Sequence, residues 1–333
     1  MKRVLALALL VAACDPMGDF DLDLSGLEAG PIQGDQGVVT FALVDGCASG
    51  DWLFGCSKDM PPFAVGARVK FVVGAVSEDP RAQEIVDHAT FEVSNPGVVG
   101  VGHDADGFVV MQAVAQGSAT VELHDSKDGD LIDTIAVHVE PIAWMVGEAK
   151  RTVLVGSRVG VKVHAQAQYG ETLYARGAIV ATLSGGLELD ADNSGFFMTS
   201  DQVAVRATTP GDAKITFTAG PTSIDVPYQL VARDEITSVS VQEFWHEPGA
   251  NKQRIIAGAK VGETGVRGGP ACDWRIVSGG GDGAALASGA GEDTTDELFV
   301  FYDSALVYGE GDMTVECRVN DQAMGQTTVH LGP

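Results

Sequence analysis

Residues 115–123 read AQGSATVEL, a segment in which a glycine is followed by small and β-branched residues alternating with polar ones. This alternation is typical of a β-strand with one buried face, because successive side chains of a strand point to opposite sides. The same pattern follows Gly211, where the chain reads GDAKI, and Gly311, where it reads GDMTV. The segment is therefore one of three copies of a repeated strand element, which indicates that the chain consists of repeated structural units.

A second element recurs upstream of each of these glycines. It reads VGARV at 65–69, VGSRV at 155–159 and AGAKV at 257–261. Successive copies are about 100 residues apart, which is the size of one small domain and longer than a solenoid repeat. We therefore expect three tandem domains in which the glycines of these motifs, including Gly258, occupy equivalent positions.

The composition favours an all-β fold. Glycine accounts for 42 of the 333 residues, as expected for many short strands joined by tight turns. Residues 127–130, KDGD, predict a hairpin turn, and Asp79-Pro80 predicts the start of one short helix over 81–88. Short β-branched segments predict strands at 108–111, 119–123 and 135–139. Strands at this spacing indicate a β-sandwich in each repeat.

Three motifs in the first copy occur together. Residues 91–96 read FEVSNP, a hairpin glycine follows at 107, and AQGSATV occupies 115–121. In this combination they resemble the bacterial immunoglobulin-like domain of group 2. The resemblance implies three tandem immunoglobulin-like β-sandwich domains with stalk or adhesion roles and without catalytic residues.

The domain boundaries follow from the repeat. We expect a signal peptide at 1–13, a tether at 14–35, and immunoglobulin-like domains at 36–141, 142–232 and 233–333. Trp144 and Trp245 lie near the start of the second and third domains. Their side chains pack either between successive domains or within their own domain.

The N-terminus predicts an exported lipoprotein. Lys2 and Arg3 precede an apolar run from 4 to 13, which has the form of a secretory signal and is too short to span a bilayer. The run ends in VAAC at 11–14, which resembles the bacterial lipoprotein box and implies that Cys14 is lipidated. The alternative is an ordinary signal peptide with an unrelated cysteine. We expect a lipid-anchored protein of the bacterial cell envelope, at the outer membrane, on its periplasmic face or at the cell surface.

The charge of the chain excludes one class of partner. Acidic residues number 46 and basic residues 21, which gives a formal net charge of −25. A chain this acidic is repelled by phosphate backbones, so nucleic acid is not expected as a partner. The lipid on Cys14, rather than surface charge, would hold the protein to a membrane.

The cysteines predict disulfides. Besides Cys14 the chain has Cys47, Cys56, Cys272 and Cys317, and export would place them where disulfides form. Four cysteines allow three pairings, of which their positions favour Cys47–Cys56 and Cys272–Cys317. No CxxC pair occurs, which disfavours a zinc site at these residues. Cys272, Trp274 and Cys317 also resemble the cross-sheet disulfide and buried tryptophan of immunoglobulin domains.

The sequence carries none of the catalytic motifs that we sought, namely Gly-x-Ser-x-Gly, His-Glu-x-x-His, a P-loop or a dinucleotide-binding glycine run. We therefore expect a protein that is not an enzyme and has no cofactor, with a bound Ca²⁺ ion as the alternative. Asp190, Asp192, Ser194 and Asp201 follow the spacing of a calcium-binding loop. A plain hairpin is the alternative, because the first copy has one at the matching place.

Three functions suit these features. The leading hypothesis is an adhesion or spacer rod that interacts with an envelope or surface protein. The alternatives are a periplasmic scaffold or assembly lipoprotein and a glycan-binding accessory protein. Trp52 and Phe54 lie between Cys47 and Cys56 and are candidate partner contacts, although they also suit packing over the end of the domain.

Overall fold

We describe a computed structural model of the chain. It describes residues 32–43, 60–77, 80–105, 108–147, 151–190, 202–245, 251–268, 272–281, 283–289, 303–321 and 324–332. These residues form three β-sandwiches in tandem, which we call the first, second and third sandwich. The predicted all-β, immunoglobulin-like fold class is confirmed, because in each sandwich the chain passes repeatedly between two sheets.

The first sandwich holds the helix and the strands up to residue 140. They are β1 (Ile32–Gln33), β2 (Val39–Leu43), β3 (Phe63–Ala64), β4 (Arg68–Ala75), α1 (Pro80–Asp87), β5 (Thr90–Val93), β6 (Val99–His103), β7 (Val109–Ala113), β8 (Gly117–His124) and β9 (Leu131–Glu140). One sheet has the order β1-β2-β4-β7-β6, and the other has the order β3-β9-β8-β5.

The second and third sandwiches follow the same plan. The second comprises β10 (Trp144–Gly147), β11 (Arg151–Leu154), β12 (Arg158–Gln166), β13 (Thr172–Leu173), β14 (Val180–Ser184), β15 (Leu187–Leu189), β16 (Gln202–Ala207), β17 (Gly211–Ala219) and β18 (Thr222–Val231). A 3₁₀ turn spans Arg233–Glu235. The third comprises β19 (Ser238–Trp245), β20 (Lys252–Val261), β21 (Thr264–Arg267), β22 (Asp273–Gly279), β23 (Ala285–Gly289), β24 (Asp303–Tyr308), β25 (Gly311–Arg318) and β26 (Met324–Leu331). The domain boundaries at 141 and 232 stay predictions.

The local predictions agree with the observed elements. The strands predicted around 108–111, 119–123 and 135–139 are β7, β8 and β9, and the short helix is α1. Gly129 has a φ of 79° in the turn between β8 and β9. Gly117, Gly211 and Gly311 begin β8, β17 and β25 with positive φ values, a conformation that glycine adopts without strain.

The third copy of the upstream motif is aligned differently from our expectation. Gly258 lies inside β20, not in a turn before a strand. The hydrogen-bond ladders show which residues are equivalent. Arg68, Arg158 and Arg254 each pair with the residue that lies five positions before the glycine at the start of β8, β17 and β25, respectively. Short motifs of small and β-branched residues recur along any strand, so motif similarity alone does not fix the register.

Asp133 ties the start of the first sandwich to its last strand. Its side chain is fully buried at the beginning of β9. The carboxylate accepts hydrogen bonds from the backbone N–H groups of Gln36, Val38 and Val39, at 2.8, 2.8 and 2.9 Å. Gly34 passes so close that a Cβ atom there would overlap the carboxylate. One carboxylate thus satisfies the backbone of the turn that joins β1 to β2.

We predict that Asp133→Ala lowers the free energy of unfolding by about 3 kcal/mol or more, because it leaves several backbone N–H groups without their charged acceptor. Denaturant unfolding measures the loss, and hydrogen exchange should locate it in residues 36–39. Asp133→Asn is the matched control and should lose less, because its amide oxygen still accepts. Unchanged exchange at 36–39 in the alanine variant would contradict this role.

Candidate functional site: the junctions between sandwiches

Most of the predicted site residues lie outside the described part of the chain. This applies to Cys14, Cys47, Cys56, Trp52, Phe54, Asp192, Ser194 and Asp201, and to the signal peptide. The lipidation, the Cys47–Cys56 disulfide and the aromatic contact therefore stay predictions. No helix among the described residues is long and apolar enough to cross a membrane.

Asp190 is the one described member of the predicted calcium loop. Its largely buried carboxylate forms an ion pair with the guanidinium of Arg158, and Nη2 of Arg206 lies 3.6 Å from it. A calcium ion at Asp190 would have to share this carboxylate with two guanidinium groups. The calcium site stays a prediction, and the described geometry gives Asp190 a role in joining β15 to β12 and β16.

Cys272 and Cys317 form a disulfide with Cα atoms 5.1 Å apart. Cys317 lies in β25, and Cys272 immediately precedes β22, the neighbouring strand of the same sheet. The bridge therefore joins adjacent strands, which differs from the cross-sheet bridge that the resemblance implied. The reason is local, because Trp274 follows Cys272 by only two residues and is itself the pairing partner of Cys317 in the ladder.

Two carboxyl groups near this disulfide have shifted pKa values. Burial raises the pKa of Asp303, although the backbone N–H groups of Cys272 and Ser304 donate to it and partly oppose the shift. The pKa of Glu316 is lowered, first by the side-chain amide of Gln326, which donates at 2.6 Å, and then by the guanidinium of Arg275. The third sandwich thus contains two buried acidic groups whose hydrogen bonds are made to residues of the same sandwich.

The first junction is built around strand β3. On one side β3 runs parallel to β9, so that Phe63 pairs with Val139. On its other side it is hydrogen-bonded to the second sandwich. The N–H of Ala64 donates to the carbonyl of Tyr174 at 2.8 Å, and the N–H of Tyr174 donates to the carbonyl of Pro62 at 2.9 Å. The two sandwiches are therefore joined by backbone pairing.

Side chains complete the first junction. Tyr174 comes from the second sandwich but is fully buried in the hydrophobic core of the first. Its ring meets that of Phe63 edge to face, with centroids 5.6 Å apart and planes at 75°. The neighbouring Leu173 and Ala175 are buried in the same core. The hydrophobic core thus runs across the boundary between the sandwiches.

The second junction repeats the first. Strand β11 runs parallel to β18 of its own sandwich and, on its other side, parallel to β21 of the third sandwich. A nine-stranded sheet therefore extends from the second sandwich into the third. Leu154 of β11 and Val266 of β21 are buried in one hydrophobic cluster. Gly268 follows β21 with a φ of 100°, and a Cβ atom there would overlap the buried side chain of Ser157.

The two junctions use equivalent parts. In both, the short strand before the turn glycine, Gly66 or Gly156, pairs with the last strand of its own sandwich. In both, a hairpin of the next sandwich, formed by β12 and β13 or by β20 and β21, supplies the second neighbour. We consider these junctions the candidate functional site, because they determine how successive sandwiches are held.

Sequence reasoning missed the junctions, and it left open whether Trp144 and Trp245 pack between domains or within their own domain. The indole N–H of Trp144 donates to the side-chain oxygen of Gln166 within the second sandwich. The side chain of Trp245 lies outside what the structure describes. The one usable signal was the apolar segment that precedes the turn glycine in the first two copies, FAVG at 63–66 and TVLVG at 152–156.

Comparison with protein families finds no match, and neither does comparison with curated proteins. Several solved structures are similar in part. Domains 4–9 of the surface layer protein SbsC align at 15% identity over 88% of this chain, with a TM-score of 0.29. The Escherichia coli adhesin FdeC aligns at 13% identity over 82% of this chain and 95% of its own, with a TM-score of 0.25. Immunoglobulin domains 1–5 of Sidekick-1 align at 12% identity over 82% of this chain and 57% of theirs, with a TM-score of 0.22.

The chain spans 47% of the length of the SbsC fragment. The fold of each sandwich is evident from its own strand order and register. These three proteins are a surface layer protein, an adhesin and a protein with immunoglobulin domains.

We predict that Tyr174→Ala destabilises the first sandwich although the residue belongs to the second. Removing a large buried aromatic side chain costs about 3–5 kcal/mol. Hydrogen exchange should show faster exchange in β4 and β7 of the first sandwich. Tyr228→Ala is the matched control, because Tyr228 is equally buried but lies in the core of the second sandwich. Equal effects of the two variants on β4 and β7 would contradict the shared core.

Proposed function

We propose that the chain is a non-enzymatic, lipid-anchored protein of the bacterial cell envelope that acts as a stiff spacer or adhesion rod. The observation that carries the proposal is the backbone pairing at both junctions. Domains joined by ordinary linkers are expected to move relative to one another. Here bending would separate paired strands and expose buried side chains such as Tyr174 and Leu154.

The anchor and the charge suit this function. Lipidation at Cys14 would tether the first sandwich to the outer membrane through the segment at 14–35, and would place the third sandwich furthest along the chain from the membrane. The net charge of −25 favours solubility and mutual repulsion between neighbouring copies. A spacer carries its partner site at a distance from the membrane, and we propose an envelope or surface protein as that partner.

One exposed aromatic residue favours a contact role in addition to a spacer role. Tyr169 lies in the turn between β12 and β13, and its exposed fraction is 94%. Aromatic residues of this kind are common anchors of protein and glycan partners, because they bury a large area with little loss of conformational entropy. The kind of partner that binds at this turn would distinguish adhesion, envelope scaffolding and glycan binding from one another.

We predict that Gly268→Ala loosens the second junction. A methyl group at Gly268 would overlap Ser157, so the third sandwich would have to shift from its place on β11. Small-angle scattering should give the parent chain a radius of gyration well above the roughly 20 Å of a compact protein of this length. The variant should show a broader distribution of interatomic distances with unchanged circular dichroism.

Gly262→Ala is the control for this experiment. Gly262 lies in the turn of the same hairpin with a φ of 59°, but nothing lies within 4 Å of a Cβ atom there. It therefore carries the same kind of backbone strain without the overlap at the junction. A compact parent chain, or identical scattering from the parent chain and Gly268→Ala, would count against the spacer.

We predict that Cys14→Ser abolishes acylation and moves the protein from the membrane fraction to the soluble fraction of an expressing bacterium. Incorporation of radiolabelled palmitate and fractionation of the cells measure both effects. Cys56→Ser is the control and should keep both the label and the membrane association. Membrane association of Cys14→Ser at the parent level would contradict a lipid anchor at this residue.

A further inference from the structure

Three potential metal ligands meet on the outer face of the first sandwich. One ligand atom from each of Glu92, Glu122 and His124 can be chosen so that all three lie within 4.8 Å of one another. Glu92 of β5 and Glu122 of β8 are direct cross-strand partners. His124 lies two residues further along β8, which places it on the same face of the sheet.

Two features of this arrangement favour a cation beside the two carboxylates. Like charges directly opposite each other destabilise a strand pair, and Glu92 and Glu122 stand in this relation. In addition, Nδ1 of His124 lies 3.0 Å from the carbonyl oxygen of Gly129, which can only accept a hydrogen bond. Nδ1 therefore carries a proton, and Nε2 lies 3.2 Å from Oε2 of Glu122, where it can hold either a second proton or a metal ion.

A proton on Nε2 pairs with Glu122, whereas a metal ion at the same place can bind both carboxylates at once. A histidine whose Nδ1 proton is held by a backbone carbonyl is the usual form of a metal-binding imidazole, since the carbonyl fixes the tautomer and the direction of the ring. Gly129 is in the turn between β8 and β9, outside the ligand set. The carbonyl thus supports the site from a separate segment of the chain.

We propose that Glu92, Glu122 and His124 form a binding site for a divalent transition metal ion, with Zn²⁺ as the best fit. Zinc bonds of about 2.1 Å in a tetrahedron place ligand atoms about 3.4 Å apart. The separation of 3.2 Å between Nε2 and Oε2 matches this edge. Glu92 is exposed, so its side chain is free to close the remaining gap. A water molecule would complete the coordination.

The ligand types select the metal. Calcium and magnesium prefer sites made of oxygen atoms, whereas an imidazole with two carboxylates suits zinc and its neighbours in the first transition row. The bound ion would join β5, the edge strand of its sheet, to β8. It would also neutralise two carboxylates and hold the turn at Gly129 through the His124 ring.

The test is a titration of the full chain with Zn²⁺ in a buffer that does not bind metal. Calorimetry should find one site that is clearly tighter than the weak binding expected of a highly acidic surface. His124→Ala, Glu122→Gln and Glu92→Gln should each weaken this site by at least tenfold. Zinc should also raise the unfolding midpoint of the parent chain and slow hydrogen exchange in residues 125–130.

His138→Ala is the matched control. His138 lies on β9 of the same sheet and pairs with Glu140 at 2.8 Å, but Oγ of Ser118 occupies its other ring nitrogen. It offers a histidine with one carboxylate instead of two, so His138→Ala should bind zinc as the parent chain does. The proposal is overturned if Glu92→Gln binds as tightly as the parent chain, or if His138→Ala loses as much affinity as His124→Ala. Circular dichroism of the metal-free variants shows that each is folded.

Discussion

The structure depends on one physical requirement: a short strand that is buried between two sandwiches must find hydrogen-bond partners on both of its edges. Strands β3 and β11 are only a few residues long, and each pairs with the last strand of its own sandwich on one side. The other edge is buried, and buried backbone groups without partners are costly. In both cases the next sandwich supplies the missing partner, and this pairing holds each sandwich against the one that follows.

The features that the sequence predicted well are local. The glycines that begin β8, β17 and β25 need positive φ, the turn at Gly129 needs the same conformation, and helix α1 begins at the proline that suits a first turn. Alternation of apolar and polar residues located the strands that follow these glycines. From such signals the all-β class and the repeated sandwiches could be inferred without knowledge of the packing.

The features that the sequence did not predict are distant contacts. Parallel pairing of β11 with β21 joins residues more than a whole sandwich apart and leaves no periodicity in either segment. The cluster of Glu92, Glu122 and His124 exists only because β5 and β8 are neighbours in one register. Likewise Gly258 looked equivalent to Gly66 by its neighbours in sequence, whereas the hydrogen-bond ladder aligns Arg254 with Arg68.

The extended sheet also has a consequence for how such a protein changes in evolution. If each repeat were a self-contained unit, copies could be added, lost or exchanged by recombination at any boundary. Here a cut between the second and third sandwiches would leave β11 with an open edge and Leu154 uncovered. A sandwich that is added after another must therefore carry a hairpin that pairs with the short strand before it, which restricts the exchange of repeats.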